Sequence, residues 1–261
     1  MGRTVYLGRL FGIEFRLHFT WFIIFFLVTF LLVEPNFDRW FYWLLGIGTS
    51  LLFFVSVLAH ELAHSLVGRA NGIPVSSITL FIFGGIALME HEASRPGAEF
   101  KMAIAGPLCS LVLGGIFGLL LLIPAVTGPV AVMLTWLALM NTILAVFNLV
   151  PGFPLDGGRV LRSLLWRTTG SYLLASRIAS FAGQVIGYLL ILAGILIIIL
   201  RPFDMDWFDG LWICFIGWFL SSTASASYRQ IKQQGEPGAQ RSVEITDADY
   251  SVLPRDNGSD T

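Results

Sequence analysis

Two histidines and a glutamate stand inside one of the most apolar stretches of the chain. They read His60-Glu61-Leu62-Ala63-His64, preceded by "LLFFVSV" and followed by "VGRANG". A charged side chain near the centre of a membrane span costs at least about 2.5–3.5 kcal/mol, so three together need a compensating role. Positions i and i+4 of a helix share a face, so two imidazoles can meet one metal ion at about 2.0–2.1 Å per Zn–N bond. Glu61, one residue on, lies beside that ion, where a general base acting on a water molecule belongs. The competing reading is two histidines packing or hydrogen-bonding between helices. The desolvation cost of idle ionisable groups weighs against it.

A catalytic zinc ion usually takes three protein ligands and keeps a fourth position open, so a third ligand must come from elsewhere. His18, at the start of the first apolar run, and His91, in a polar loop, read as surface or interfacial residues. Asp156 stands out in "FNLVPGFPLDGGR", residues 147–159. Pro151 and Pro154 break the helix, and Gly152, Gly157 and Gly158 allow irregular backbone. Asp156 is thus expected on an unwound segment pointing back toward the helices. Taken alone it reads as a turn or N-cap aspartate; the H-E-x-x-H pair on a neighbouring span tips it to a ligand. His60 is nine residues from Arg69, roughly 13 Å of helix, and Asp156 approaches from the same side. Asn148, eight residues earlier, has two open readings: an amide donor to a developing oxyanion, or glue between helices. The small residues of "AIAGPLCSLVLGG", residues 103–115, predict helix–helix contact and no chemistry.

The elements that must carry these residues are membrane helices. Of 261 residues, 56% are hydrophobic and 13% charged, whereas a soluble protein carries nearer a quarter charged. The expected fold is an all-α polytopic membrane protein of about six transmembrane helices, near 19–33, 40–68, 102–124, 129–150, 178–200 and 208–226, each long or nearly long enough to cross a bilayer. "GIEFRLH" before the first of them adds a turn or a strand. No small-residue cleavage site follows the first run, which reads as a retained span. Cys109 and Cys214 lie in apolar runs and read as buried, inert thiols. A net charge of −1 argues against a nucleic-acid partner.

An even number of crossings puts both termini on one side. Arg3, Arg9, Arg16, Arg69, Arg159 and Arg229 are among the basic residues on that side, while only Arg39 and Arg201 fall opposite, where Glu34, Asp38, Asp204, Asp206 and Asp209 collect. The positive-inside rule then places both termini in the cytosol. Between spans two and three, "IPVSSITLFIFGGIALME" (73–90) is rich in β-branched and aromatic residues, with Gly84-Gly85 at a turn. It predicts a small membrane-associated β-hairpin, with a re-entrant half-helix as the alternative. From 227 to 261 the composition turns polar and reads as a disordered cytosolic tail, following a membrane domain over 1–226.

Together, His60-Glu61-x-x-His64, the Gly106-Pro107 pair and "FNLVPGFPLDGGR" resemble the site-2 protease family of intramembrane zinc metalloproteases. The matching features cover most of residues 50–160. The resemblance implies one Zn²⁺ per chain held by His60, His64 and Asp156, with Glu61 as the base and Asn148 at the active site. It also implies hydrolysis of a peptide bond within or near the transmembrane segment of another membrane protein. Family substrates include membrane-tethered regulators such as anti-sigma factors. The expected location is the plasma membrane of a bacterium or archaeon, or an organelle membrane of such origin, with the lipid bilayer as partner. The 73–90 hairpin offers an edge for an unwound substrate strand, and prolines at 80–83 should then impair cleavage but not zinc content.

Three other functions compete. A metal transporter would also place His and Asp in spans, but it needs a polar path through the membrane, and no second polar cluster completes one. A catalytically inactive relative serving as a binding scaffold would have lost part of the set, whereas all four residues are present. A prenyl-protein endopeptidase is disfavoured by the "PLDGGR" carboxylate standing in place of a downstream glutamate ligand.

Overall fold

The computed structural model describes residues 4–33, 39–82, 84–89, 92–202 and 206–234. In chain order the elements are β1 (Thr4–Leu10), β2 (Ile13–His18), α1 (Thr20–Val33), α2 (Trp40–Ala70), β3 (Val75–Phe81), β4 (Gly84–Met89), α3 (Pro96–Leu120), α4 (Gly128–Asn148), α5 (Asp156–Thr169), α6 (Tyr172–Leu200) and α7 (Trp207–Gln234). Five of them, α2, α3, α4, α6 and α7, are long and apolar enough to cross a membrane. The sixth expected span, α1, has 14 residues, short of the roughly 20 that a bilayer takes. The polytopic membrane fold stands, with five long helices and this shorter one.

The surface follows the same logic. Phe26, Val112, Leu119, Phe181 and Ile199 turn outward, each more than 60% exposed. Inside lie small and polar residues, among them Thr29, whose hydroxyl donates to Ser50 Oγ at 2.9 Å between α1 and α2. Lipid offers no hydrophobic drive for helix association, so close packing and interhelical hydrogen bonds must hold the bundle.

The predicted hairpin is present as β3 and β4, paired antiparallel. It belongs to a larger sheet. β1 and β2 form a second antiparallel hairpin, and β2 runs parallel to β3, giving the order β1-β2-β3-β4. Ile13, Phe15 and Ile78 on one face of the sheet pack against Leu58 and Leu62 of α2. Leu58 and Leu62 share one side of α2, while His60 and His64, two residues on from each, turn to the opposite side. The sheet therefore seats one face of α2 and leaves the other for α3.

Two sequence expectations change. Residues 156–169 form α5, an amphipathic helix, so Asp156 is the first residue of a helix and not part of an unwound stretch; the irregular backbone is the turn before it, with a cis Phe153–Pro154 bond. The tail boundary expected at 227 falls inside α7, which continues to Gln234. Cys109 and Cys214 are free and half-buried. His91, the chain beyond 234, and the charges at Arg3, Glu34, Asp38 and Asp204 lie outside the described residues.

Candidate metal centre

His60, on the α3-facing side of α2, is 3% exposed. His64 lies one turn on. Asp156 reaches them from the first turn of α5, brought there by the turn that ends α4. That turn is packed backbone on backbone: a Cβ at Gly157 would overlap the carbonyl oxygens of Leu149 and Val150. The glycine pair after Asp156 is thus a requirement of close approach, which lets α5 start directly beneath the end of α4.

The three candidate ligand atoms form a near-equilateral triangle. His60 Nε2 and His64 Nε2 are 3.2 Å apart. Asp156 Oδ2 lies 3.2 Å from the first and 3.1 Å from the second. Both imidazoles are oriented by α3 through their far nitrogens. His64 Nδ1 donates to the carbonyl oxygen of Met102 at 2.7 Å, and His60 Nδ1 is hydrogen-bonded to Ser110 Oγ at 2.8 Å. A carbonyl only accepts, so His64 Nδ1 carries the proton and its Nε2 presents a lone pair. In that neutral tautomer the His64 Nε2 lone pair and the Asp156 carboxylate oxygen face one another across 3.1 Å, an arrangement that a cation between them relieves.

The fit to zinc is direct. Tetrahedral bonds of 2.0–2.1 Å set ligand atoms about 3.3 Å apart, close to the observed triangle. Among the described residues, His60, His64 and Asp156 are the one group of three with this geometry. Space for it is provided by Gly106 of α3, where a Cβ would overlap His64 Nε2 and come within 2.6 Å of His60 Nε2. Pro107 follows it inside the helix; lacking an N–H, it takes one bond out of the α3 ladder beside the cluster. The 103–115 segment, expected to serve only helix packing, therefore builds the site as well. Small size serves both ends: Gly114 packs against Ala138 and Thr142 of α4, and Gly106 makes room for the imidazoles of α2.

Glu61 faces away from α3 toward the sheet. It is half-buried, and a Cβ at Gly85, the second residue of β4, would overlap its Cγ and stand 3.0 Å from its Cδ. The base candidate is thus sandwiched between α2 and the start of β4, beside the triad. The remaining sequence candidates fall outside the cluster. Asn148 is half-buried in the last turn of α4, and its amide donates to Leu144 O at 3.0 Å. No hydrogen bond among the described residues joins it to the triad. His18 is hydrogen-bonded to Thr20 Oγ1 at 2.8 Å, at the β2–α1 junction.

With this geometry in hand, comparison with known proteins places the chain. The model of peptidase family M50 matches residues 48–127 and 123–194. The Synechocystis sp. protein sll0528, provisionally named a zinc metalloprotease, is 44% identical over 246 residues, covering 90% of this chain and 63% of its own length. Rip3 of Mycobacterium tuberculosis, under the same provisional name, is 37% identical over 243 residues, covering 90% and 61%. The solved structure of a site-2 protease from Methanocaldococcus jannaschii superposes with a TM-score of 0.58 at 32% identity, over 84% of this chain and 95% of that one. The chain belongs to peptidase family M50. It spans about three-fifths of the length of the first two relatives, 63% and 61%.

Proposed function

We propose that the chain is a zinc-dependent intramembrane endopeptidase. The observation that carries this reading is the triangle of His60 Nε2, His64 Nε2 and Asp156 Oδ2 beside a carboxylate, Glu61, that is not one of its corners. His60, His64 and Asp156 would hold the ion. Zinc bound there would supply Lewis acidity, lowering the pKa of a water molecule toward about 7 and polarising a peptide carbonyl. Glu61 takes the proton of the attacking water on its carboxylate and passes it to the leaving amide nitrogen, so that the C–N bond breaks to an amine and a carboxylic acid. Met102 O and Ser110 fix the imidazole orientations throughout. Asn148 would use its amide at the scissile carbonyl, which requires its side chain to leave Leu144 O.

The substrate in this reading is the transmembrane segment of another protein, of the kind that tethers a regulator such as an anti-sigma factor. A helix hides its peptide bonds, so the segment must unwind before cleavage. β4 pairs on one side with β3 and leaves its other edge open among the described residues, with Gly85 against Glu61. A strand added to that edge would run past the base. Both termini lie in the cytosol in this proposal, which rests on the arginine distribution.

The test uses the full chain in detergent with a tagged single-span substrate. Glu61→Gln should retain stoichiometric zinc and lose cleavage by about 10²–10⁴-fold, the contribution of a general base. Cleavage at the full rate removes Glu61 as the base, and wild-type protein without stoichiometric metal removes the whole reading. Leu88→Pro, on the exposed part of β4, should lower cleavage with zinc content unchanged. An undiminished rate would exclude strand addition.

A further inference from the structure

Six residues beyond Asp156 on α5, Arg162 is 1% exposed, and Glu99 on α3 is fully buried. The guanidinium is shared several ways. Its Nε donates to Glu99 Oε1 at 2.6 Å, and its Nη2 forms an ion pair with the same oxygen. Nη1 donates to the Tyr172 hydroxyl of α6 at 2.7 Å, and Nη2 reaches Glu92 Oε2 at 3.3 Å. The Phe153 and Tyr172 rings lie against it, with centroids 5.0 and 4.7 Å from Cζ. One side chain thus ties α5 to α3, to the segment before α3, to α6 and to the turn that delivers Asp156. Burial works against a charge on Arg162, but Glu99, Tyr172 and Glu92 outweigh it and raise its pKa. Burial likewise pushes Glu92 up, and Arg162 more than offsets this, holding its carboxyl below the usual range.

Neither Arg162 nor Glu99 has a part in hydrolysis, and a buried ion pair is a poor source of stability, since apolar residues of similar volume often serve as well or better. What a guanidinium supplies is direction, because its planar fork fixes partners in position. The partners here matter. α3 carries Met102 and Ser110, which orient the two imidazoles, and Gly106, which makes room for them. α5 carries the carboxylate. Among the described residues, the Glu99–Arg162 pair is the side-chain hydrogen bond that joins those two helices.

We propose that Arg162 and Glu99 are positioning residues for the metal centre, setting the rotation and height of α5 against α3 so that Asp156 Oδ2 meets the two Nε2 atoms. This rests on the reading of the triad as a zinc site. The experiment uses the full chain in detergent, measuring zinc affinity by chelator competition and, after cobalt substitution, the visible ligand-field spectrum. Arg162→Lys keeps the charge and loses the fork; zinc should bind about tenfold more weakly, at the lower end of the effect of an outer-contact change. The double variant Arg162→Met, Glu99→Met keeps the buried volume without the charges. It should fold, bind zinc about 10–100-fold more weakly and show an altered cobalt spectrum. Arg167→Gln, at an exposed position of the same helix, should change neither reading. If wild type binds zinc and the folded variants bind it equally, with the wild-type cobalt spectrum, the positioning role is overturned and the zinc site stands. Wild type without zinc overturns both. Should the double variant not fold, Arg162→Lys decides the matter.

Discussion

Two regions of this molecule hold helices together by opposite means. Around the triad, α2, α3 and α5 are joined by polar atoms aimed across helix boundaries: His60 to Ser110, His64 to Met102 O, Arg162 to Glu99. In the α6–α7 pair the backbones themselves meet. A Cβ at Gly187 would stand 2.6 Å from Gly217 O, and one at Gly217 would stand 2.5 Å from Gly187 O. The hydroxyls of Ser221, Thr223, Ser225 and Ser227 on α7 bond back to carbonyls of their own helix. Only Ser180 and Cys214 send a polar hydrogen across, to Ala224 O and Ile191 O, among the described residues. Glycine contact is enough to make a hairpin in lipid. Directed polar contacts, which cost more to bury, appear where atoms must be aimed.

That contrast can be broken or sharpened by substitution. The largest effect is expected from Asp156→Ala. It removes a corner of the triangle, so zinc should fall from stoichiometric to trace in elemental analysis and cleavage to background, with helical content by circular dichroism unchanged. Gly106→Ala comes next. Its methyl group lands on the imidazole nitrogens, and an overpacking cost of about 1–3 kcal/mol should appear as weaker metal affinity in chelator competition, with less effect on the unfolding of the apo protein. The smallest effect on zinc is expected from Gly217→Ala in the glycine hairpin. Its methyl group meets backbone, so it should lower resistance to denaturant by about 3 kcal/mol, the upper end of overpacking, and leave zinc affinity as in wild type. A loss of zinc in Gly217→Ala would mean that the two regions are coupled and the contrast is too sharply drawn.

Much of the site was legible from residue order, for identifiable reasons. The i, i+4 spacing of His60 and His64 puts two of the three candidate ligands on one face of a helix, and Pro151, Pro154 and Gly157 advertise a sharp turn delivering Asp156. The β3–β4 hairpin showed in its branched residues and its Gly-Gly break. Other features were hidden. β1 carries Gly8 at a register shift and is largely exposed, so no alternation marks it. α5 was masked by the Pro- and Gly-rich run in front of it, although Val160, Leu161, Leu164 and Leu165 have helical spacing. The Glu99–Arg162 pair spans 63 residues, and no local pattern links its ends. Ser110 and Met102 act through a hydroxyl and a backbone carbonyl, groups common enough in any helix that their aim is visible only in three dimensions.

α3 meets the site at Glu99, Met102, Gly106 and Ser110, in steps of three, four and four residues that keep one stripe of the helix turned inward. Such a stripe is a ruler that tolerates substitution far better than a change of length. One residue inserted between Glu99 and Ser110 would rotate everything beyond it by about 100°, carrying Ser110 or Gly106 off the ligands while every composition-based measure of the helix stayed the same. The connection between α3 and α4 carries no such constraint. Length variation in this part of the chain should therefore collect after Leu120 and be absent from the eleven steps before Ser110.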